Sequence, residues 1–149
     1  MVKGVNRGRS LSDKVQEVRV KTAETEKITI NLGYVDLGQI DLLVREGFYS
    51  NRTDFIRTAI RNQLDRQGDA VRQSVARYQL DMGLRLYSRQ NLEAAAARNE
   101  TLHIQVLGLA IIAADVTPEL ARATIASLQV LGALQASAAV KTALQDRIL

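Results

Sequence analysis

The sequence predicts an α+β chain in two parts: a strand-helix-helix unit near the N-terminus, then a β-α repeat with parallel strands. Three observations carry this reading. In "KITINLG", residues 27–33, Ile28, Ile30 and Leu32 alternate with Lys27, Thr29 and Asn31, the period-two pattern of a strand with one buried face. The residues that follow, to about position 67, carry helical spacing instead. From Leu80 onward a unit of about 24 residues recurs three times, each copy an apolar, strand-like start before a helical half.

Composition bounds the chemistry. A chain of 149 residues suffices for one ordinary domain or two small ones, and 46% hydrophobic residues allow a real core. The absence of cysteine removes disulfides, thiolate metal sites and cysteine nucleophiles together. No apolar run reaches the roughly 18 residues of a membrane span. "MVKGVNRGRSLSDK" has basic residues but no apolar stretch behind them, so it is not read as a secretory signal. The expectation is a soluble, cytoplasmic protein with no membrane association.

The net charge of +4 is unevenly placed. Residues 1–21 hold six basic and two acidic side chains out of 20 and 16 in all, which leaves 14 of each beyond them. The excess therefore sits in an N-terminal arm, residues 1–25, whose first dozen residues read as disordered. Such an arm suits a polyanionic partner, the alternative being a solvated tail that aids solubility.

Residues 26–67 follow as strand, helix, turn and helix. Val35, Leu37, Ile40, Leu43 and Val44 sit at helical spacing, and Gly47 supplies a stop. Asn51 is a good N-cap, with Asp54 three residues on approximating a capping box. Phe55, Ile56, Ala59, Ile60 and Leu64 continue one apolar face, while Arg52, Arg57, Arg61 and Arg66 lie mostly off it. One strand and two helices in some forty residues cannot bury enough surface to fold alone, and the strand lacks a partner. Both deficits vanish if two chains pair their strands antiparallel and share a core.

"KITINL", the first helix and "GFYSNRTDFIRTAIRNQL" at this spacing closely resemble the ribbon-helix-helix (MetJ/Arc/CopG-type) DNA-binding domain, over about forty residues. The resemblance implies an intertwined dimer whose two-stranded ribbon enters the major groove. It implies base contacts from Lys27, Thr29 and Asn31 and a phosphate held by the backbone amides around Asn51, Arg52 and Thr53. The dimer core would take Ile28, Ile30, Leu32, Ile40, Phe55, Ile56 and Ile60. Side-chain chemistry agrees: Lys donates to guanine, Asn pairs bidentately with adenine, and a helix N-terminus suits phosphate. A plain solvent-facing strand edge is the alternative for the three strand residues, and a plain helix cap for Asn51. Gly33 and Gly38, poor helix formers, blur the start of the first helix. Lys3, Arg7 and Arg9 of the arm would add DNA contacts.

Residues 68–77 read as a linking helix. In residues 78–149 the copies run 80–103, 104–127 and 128–149, with "IQVLG" at 104–108 matching "LQVLG" at 128–132 almost residue for residue. Thr117-Pro118 and Ser137 are helix-start signals. A repeated β-α unit implies parallel strands, solenoid-like or as a small α/β layer. "HIQVLGLAIIA" and "SLQVLGALQA" are so apolar that both faces are expected to be buried. Residues 78–149 are therefore read as a module for oligomerisation, the alternative being an appended monomeric domain.

Enzymatic chemistry is missing. His103 is the only histidine, so neither a catalytic triad nor the usual transition-metal site is available within a subunit, and no P-loop occurs. No catalytic residue, metal or cofactor is expected. Tyr34, Tyr49, Tyr78 and Tyr87 are too dispersed for a base-stacking platform, and Phe48 and Tyr49 are assigned to packing. The reading is a dimeric, further oligomerising, sequence-specific regulator of double-stranded DNA, a CopG-like repressor. Two alternatives stand beside it: a DNA-organising or plasmid-partition adaptor, and an antitoxin-like module whose C-terminal part binds another protein.

Overall fold

The computed structural model describes residues 24–149. Residues 24–33 are exposed and form neither helix nor strand, and no described strand pairs with them. Helices α1 (Tyr34–Arg45), α2 (Arg52–Arg66) and α3 (Gly68–Tyr78) follow. Then come β1 (Asp81–Tyr87), α4 (Arg89–Ala97), β2 (Leu102–Ile112), α5 (Pro118–Thr124), β3 (Ile125–Gln135), α6 (Ala138–Ala143) and a 3-10 turn at Gln145–Arg147. The arm residues Lys3, Arg7 and Arg9 lie outside the described residues.

Local chemistry sets the helix ends. Gly33 caps α1, and Gly38 is accommodated inside it with open space around its Cα. At the other end Gly47 adopts φ +85°, its N–H donates to Val44 O at 3.1 Å, and Phe48 N–H donates to Leu43 O at 3.0 Å. That pair of bonds is a Schellman closure, and its left-handed residue is glycine because a Cβ is unfavourable there. Gly68 does not end the second helix as its sequence position suggested. Helix α2 stops at Arg66, and Gly68 opens α3 after the single residue Gln67.

The three strands form one parallel sheet in the order β1-β2-β3. Ile104 through Gly108 pair with Leu128 through Gly132 in the register the matching motifs predict. The first copy needs a correction. Asp81 stands opposite Val106 and Gly83 opposite Gly108, so copy one starts a residue before Leu80. Tyr78 ends α3, and Gln79 turns the chain in the left-handed conformation at φ 53°.

Gly83, Gly108 and Gly132 line up across the sheet at φ +110°, +138° and +127°. A Cβ on Gly108 would lie 2.3 Å from Gly83 O, and one on Gly132 would lie 2.1 Å from Gly108 O. Only glycine fits the inner two rungs, because the space a side chain needs is filled by the neighbouring strand's backbone.

Each repeat helix carries its own cap. Ser88 and Asn91 form a reciprocal capping box, Thr117 accepts from Leu120 N–H at 3.2 Å ahead of Pro118, and Ser137 accepts from Val140 N–H at 3.2 Å. Helices α4, α5 and α6 cover one face of the sheet. Leu92, Ala121, Val140 and Leu144 pack there on Ile104, Val106, Ala110, Ile112 and Leu128, all of them buried. The tail closes this layer: Leu149 N–H donates to Leu128 O at 2.9 Å, and Arg147 Nη1 donates to Ile125 O at 2.6 Å. Arg122 grips Asp146 through two hydrogen bonds of 2.7 and 3.1 Å.

The expectation that both faces of β2 and β3 are buried does not hold within the chain. The helices cover the face of the even-numbered residues, while Leu107, Leu109 and Ile111 stay only half-buried and Leu131 is exposed. Near-continuous apolar strands signalled two contact faces, but the described residues supply helices for only one of them.

Candidate nucleic-acid interface

Two elements carry the residues assigned to DNA. The first is the extended segment. Lys27, Thr29 and Asn31 are exposed, and so are the apolar residues between them: Ile28 at 81%, Ile30 at 56% and Leu32 at 41%. Alternation without burial on either side means that the described residues give the segment no apolar surface to rest on.

The second element is the start of α2. Asn51 is the N-cap, its side chain accepting from Asp54 N–H at 2.8 Å. Asp54 reaches back to Ser50 N–H at 3.0 Å, one residue earlier than a standard capping box. Among the described residues, the N–H groups of Arg52 and Thr53 have no acceptor. They stand at the positive end of a 15-residue helix, an arrangement that favours an anion.

The side chain of Arg52 is engaged elsewhere. Its Nε donates to Asp41 Oδ1 at 2.7 Å and its Nη2 to Asp41 Oδ2 at 2.8 Å, so a bidentate pair ties the start of α2 to α1. The hydrogen bonds from Arg52 hold the Asp41 carboxyl below its usual range, and Asp41 in turn raises the guanidinium. The backbone N–H of Arg52 is thus left free while its guanidinium ties α2 to α1. Sequence reading missed this pair, since residues 11 apart on two helices meet only once the turn between them is known.

The residues assigned to a dimer core divide. Ile40 is buried, Phe55 and Ile56 are half-buried, and Ile60 is exposed together with Ile28, Ile30 and Leu32. Tyr49 packs edge-on against Phe55 with ring centroids 5.0 Å apart, whereas Phe48 is exposed. His103 is exposed and its Nδ1 lies 2.8 Å from Ser127 Oγ. Among the described residues no group of His, Asp or Glu is placed to hold a metal ion, and no helix is long and apolar enough to cross a membrane.

The model of the Ribbon-Helix-Helix transcriptional regulator family matches residues 23–141. The chain belongs to this family. Its members regulate transcription by binding DNA and are not enzymes. The match is not confined to the forty residues that carry the resemblance; it runs on through β1, β2 and β3 into α6. The β-α repeat is therefore part of what this ribbon-helix-helix family shares, rather than an unrelated appendage. Neither a curated protein nor a solved structure matches the chain.

Proposed function

We propose that this ribbon-helix-helix regulator binds a specific double-stranded DNA site as a cytoplasmic homodimer. Residues 27–32 of two copies would pair antiparallel into a ribbon that enters the major groove. One observation carries the reading: a strand pattern whose apolar side is left uncovered by its own chain, directly before two helices that also expose apolar residues. Pairing two copies places Ile28, Ile30 and Leu32 against the helices and turns Lys27, Thr29 and Asn31 outward to base edges. The free N–H groups of Arg52 and Thr53 then hold a phosphate on either side and fix the register.

The β-α domain in this reading serves self-association of the chain, and dimers assemble further on DNA. A single ribbon spans few base pairs, and linked binding events raise effective concentration without any further protein–DNA contact. A regulator assembled in this way acts as a repressor by occupying its site.

The test is fluorescence anisotropy of labelled duplexes across a salt series, using wild type and a Lys27→Ala/Thr29→Ala/Asn31→Ala variant whose dimer is verified. Each good base contact discriminates by about 1–3 kcal/mol. The variant should therefore lose at least tenfold in specific affinity while keeping salt-sensitive non-specific binding. Unchanged selection of the specific site by the folded variant contradicts the ribbon assignment.

A further inference from the structure

The face of the sheet turned away from α4, α5 and α6 is largely apolar and stays half-buried to exposed among the described residues. Residue alternation and strand register place nine side chains on it in three rows. Met82, Leu107 and Leu131 are level, then Leu84, Leu109 and Ala133, then Leu86, Ile111 and Gln135. None belongs to the buried core cluster or to the side chains packed on it. Met82 is 51% exposed, Leu84 45% and Leu131 52%.

No charge interrupts these rows. The charged residues of β1, Asp81 and Arg85, alternate to the other side and lie within 3.8 Å of each other. At the end of the face stand the polar pairs Gln105 with Gln129 and His103 with Ser127. An apolar patch with a polar border on a parallel sheet is unusual, since such sheets are ordinarily covered on both faces.

We propose that this face packs against the same face of a second copy of the chain, sheet on sheet. The proposal rests on the dimer reading above and names the surface by which the C-terminal domains meet. Three observations favour a second copy over another occupant. The face carries nothing that would select a charged or nucleic-acid partner, and its leucine-rich rows match another apolar surface. Every copy presents that surface, so an isologous pair satisfies both sides at once. Size is the third. Seven residues at about 3.3 Å and three strands at about 4.8 Å spacing give roughly 300 Å² in projection. A free-standing complex buries about 800 Å² per partner, so this face closes only when the partner is already tethered. The uncovered apolar residues of the N-terminal unit supply that tether, because they too wait for a second copy.

The chain has no cysteine, so a single introduced thiol reports position cleanly. Leu109 is the middle residue of the middle row, nearest a twofold axis through the face. Packed sheets stand about 10 Å apart, within reach of a bismaleimide of that span. Full-length Leu109→Cys is compared with Glu119→Cys, an exposed position on the helix side. Circular dichroism verifies folding and sedimentation gives the mass. The expected result is a dimer in both variants and at least fivefold more cross-linked dimer from Leu109→Cys. Equal or lower cross-linking from Leu109→Cys in a chain that sediments as a dimer overturns the proposal and leaves the ribbon reading intact. A Leu109→Cys thiol that is singly alkylated as fast as Glu119→Cys overturns it too, because the face is then open. A monomeric mass at tens of micromolar overturns the proposal together with the dimer reading.

Discussion

At the residue scale the glycine ladder makes the sharpest claim on stability. Gly108 is held on both sides, by a left-handed φ and by the Gly83 carbonyl where a Cβ would sit. Gly83 shares the conformation but faces open space. Gly83→Ala should therefore cost only the conformational strain, about 1–2 kcal/mol, whereas Gly108→Ala adds a backbone clash and should cost about 3 kcal/mol or more. Urea unfolding of the two variants beside wild type measures the difference; equal losses would show that strain alone matters. Much at this scale was legible in the sequence. Asn51, Thr117 and Ser137 act as caps because a side-chain oxygen next to a helix start needs no tertiary context to bond a free N–H. Ser88 and Asn91 work by the same chemistry but are harder to see, since asparagine replaces the usual Glu or Gln at the third helical position. The role of the glycines was not legible, because the conflict a side chain would meet lies on a strand 24 or 25 residues away.

At the element scale two carboxylates paired with an arginine of a different element contribute to the response to acid. Asp41, bonded to Arg52, and Asp146, bonded to Arg122, both have their pKa lowered in the folded chain. A carboxyl of lowered folded pKa stabilises the fold above its unfolded value of about 3.9, and that contribution is lost as pH falls through the folded value. Thermal midpoints should thus show no dependence on these pairs between pH 6 and 8 and should fall below about pH 4. Asp41→Asn and Asp146→Asn should each flatten part of the acid limb. Unaltered acid profiles in both variants would mean that the pairs add nothing to stability, the usual outcome for exposed ion pairs in salt. The helices and the β2–β3 register were legible because their patterns are local or repeated. Both limits of the sequence reading arise where an element meets something distant. The first strand falls one residue out of its expected register because Leu80-Asp81 shows little likeness to the apolar motifs of the other copies. The open sheet face reads as buried because hydrophobicity reveals that a face is covered and not by what.

At the scale of the whole molecule the described residues leave apolar surface open in both parts of the chain. Ile28, Ile30 and Leu32 are exposed in the N-terminal unit and Met82, Leu84 and Leu131 on the C-terminal sheet, and in the account proposed above a second copy covers both. The sequence raises this expectation for the N-terminal unit, where forty residues carry too little apolar surface to close a core alone. For the sheet it becomes visible only once the helices are seen to occupy one side. The basic arm belongs to this scale too, because in this account it acts on DNA through the assembled protein. Replacing Lys3, Arg7 and Arg9 by alanine should weaken binding to all duplexes alike. It should also lower the slope of log affinity against log salt by about 0.9 for each phosphate no longer neutralised. A loss confined to one duplex sequence would instead give the arm a role in base reading.

The central claim is that residues 27–32 are a strand completed by a second chain. Amide hydrogen exchange of the full-length, DNA-free protein over a dilution series tests it most directly. The account predicts slowed exchange at alternate amides within residues 27–32, abolished on dilution as dimers separate, while the sheet amides of β2 stay protected. Fast exchange throughout residues 27–32 at concentrations where the protein sediments as a dimer would contradict it, and the ribbon would have to be abandoned.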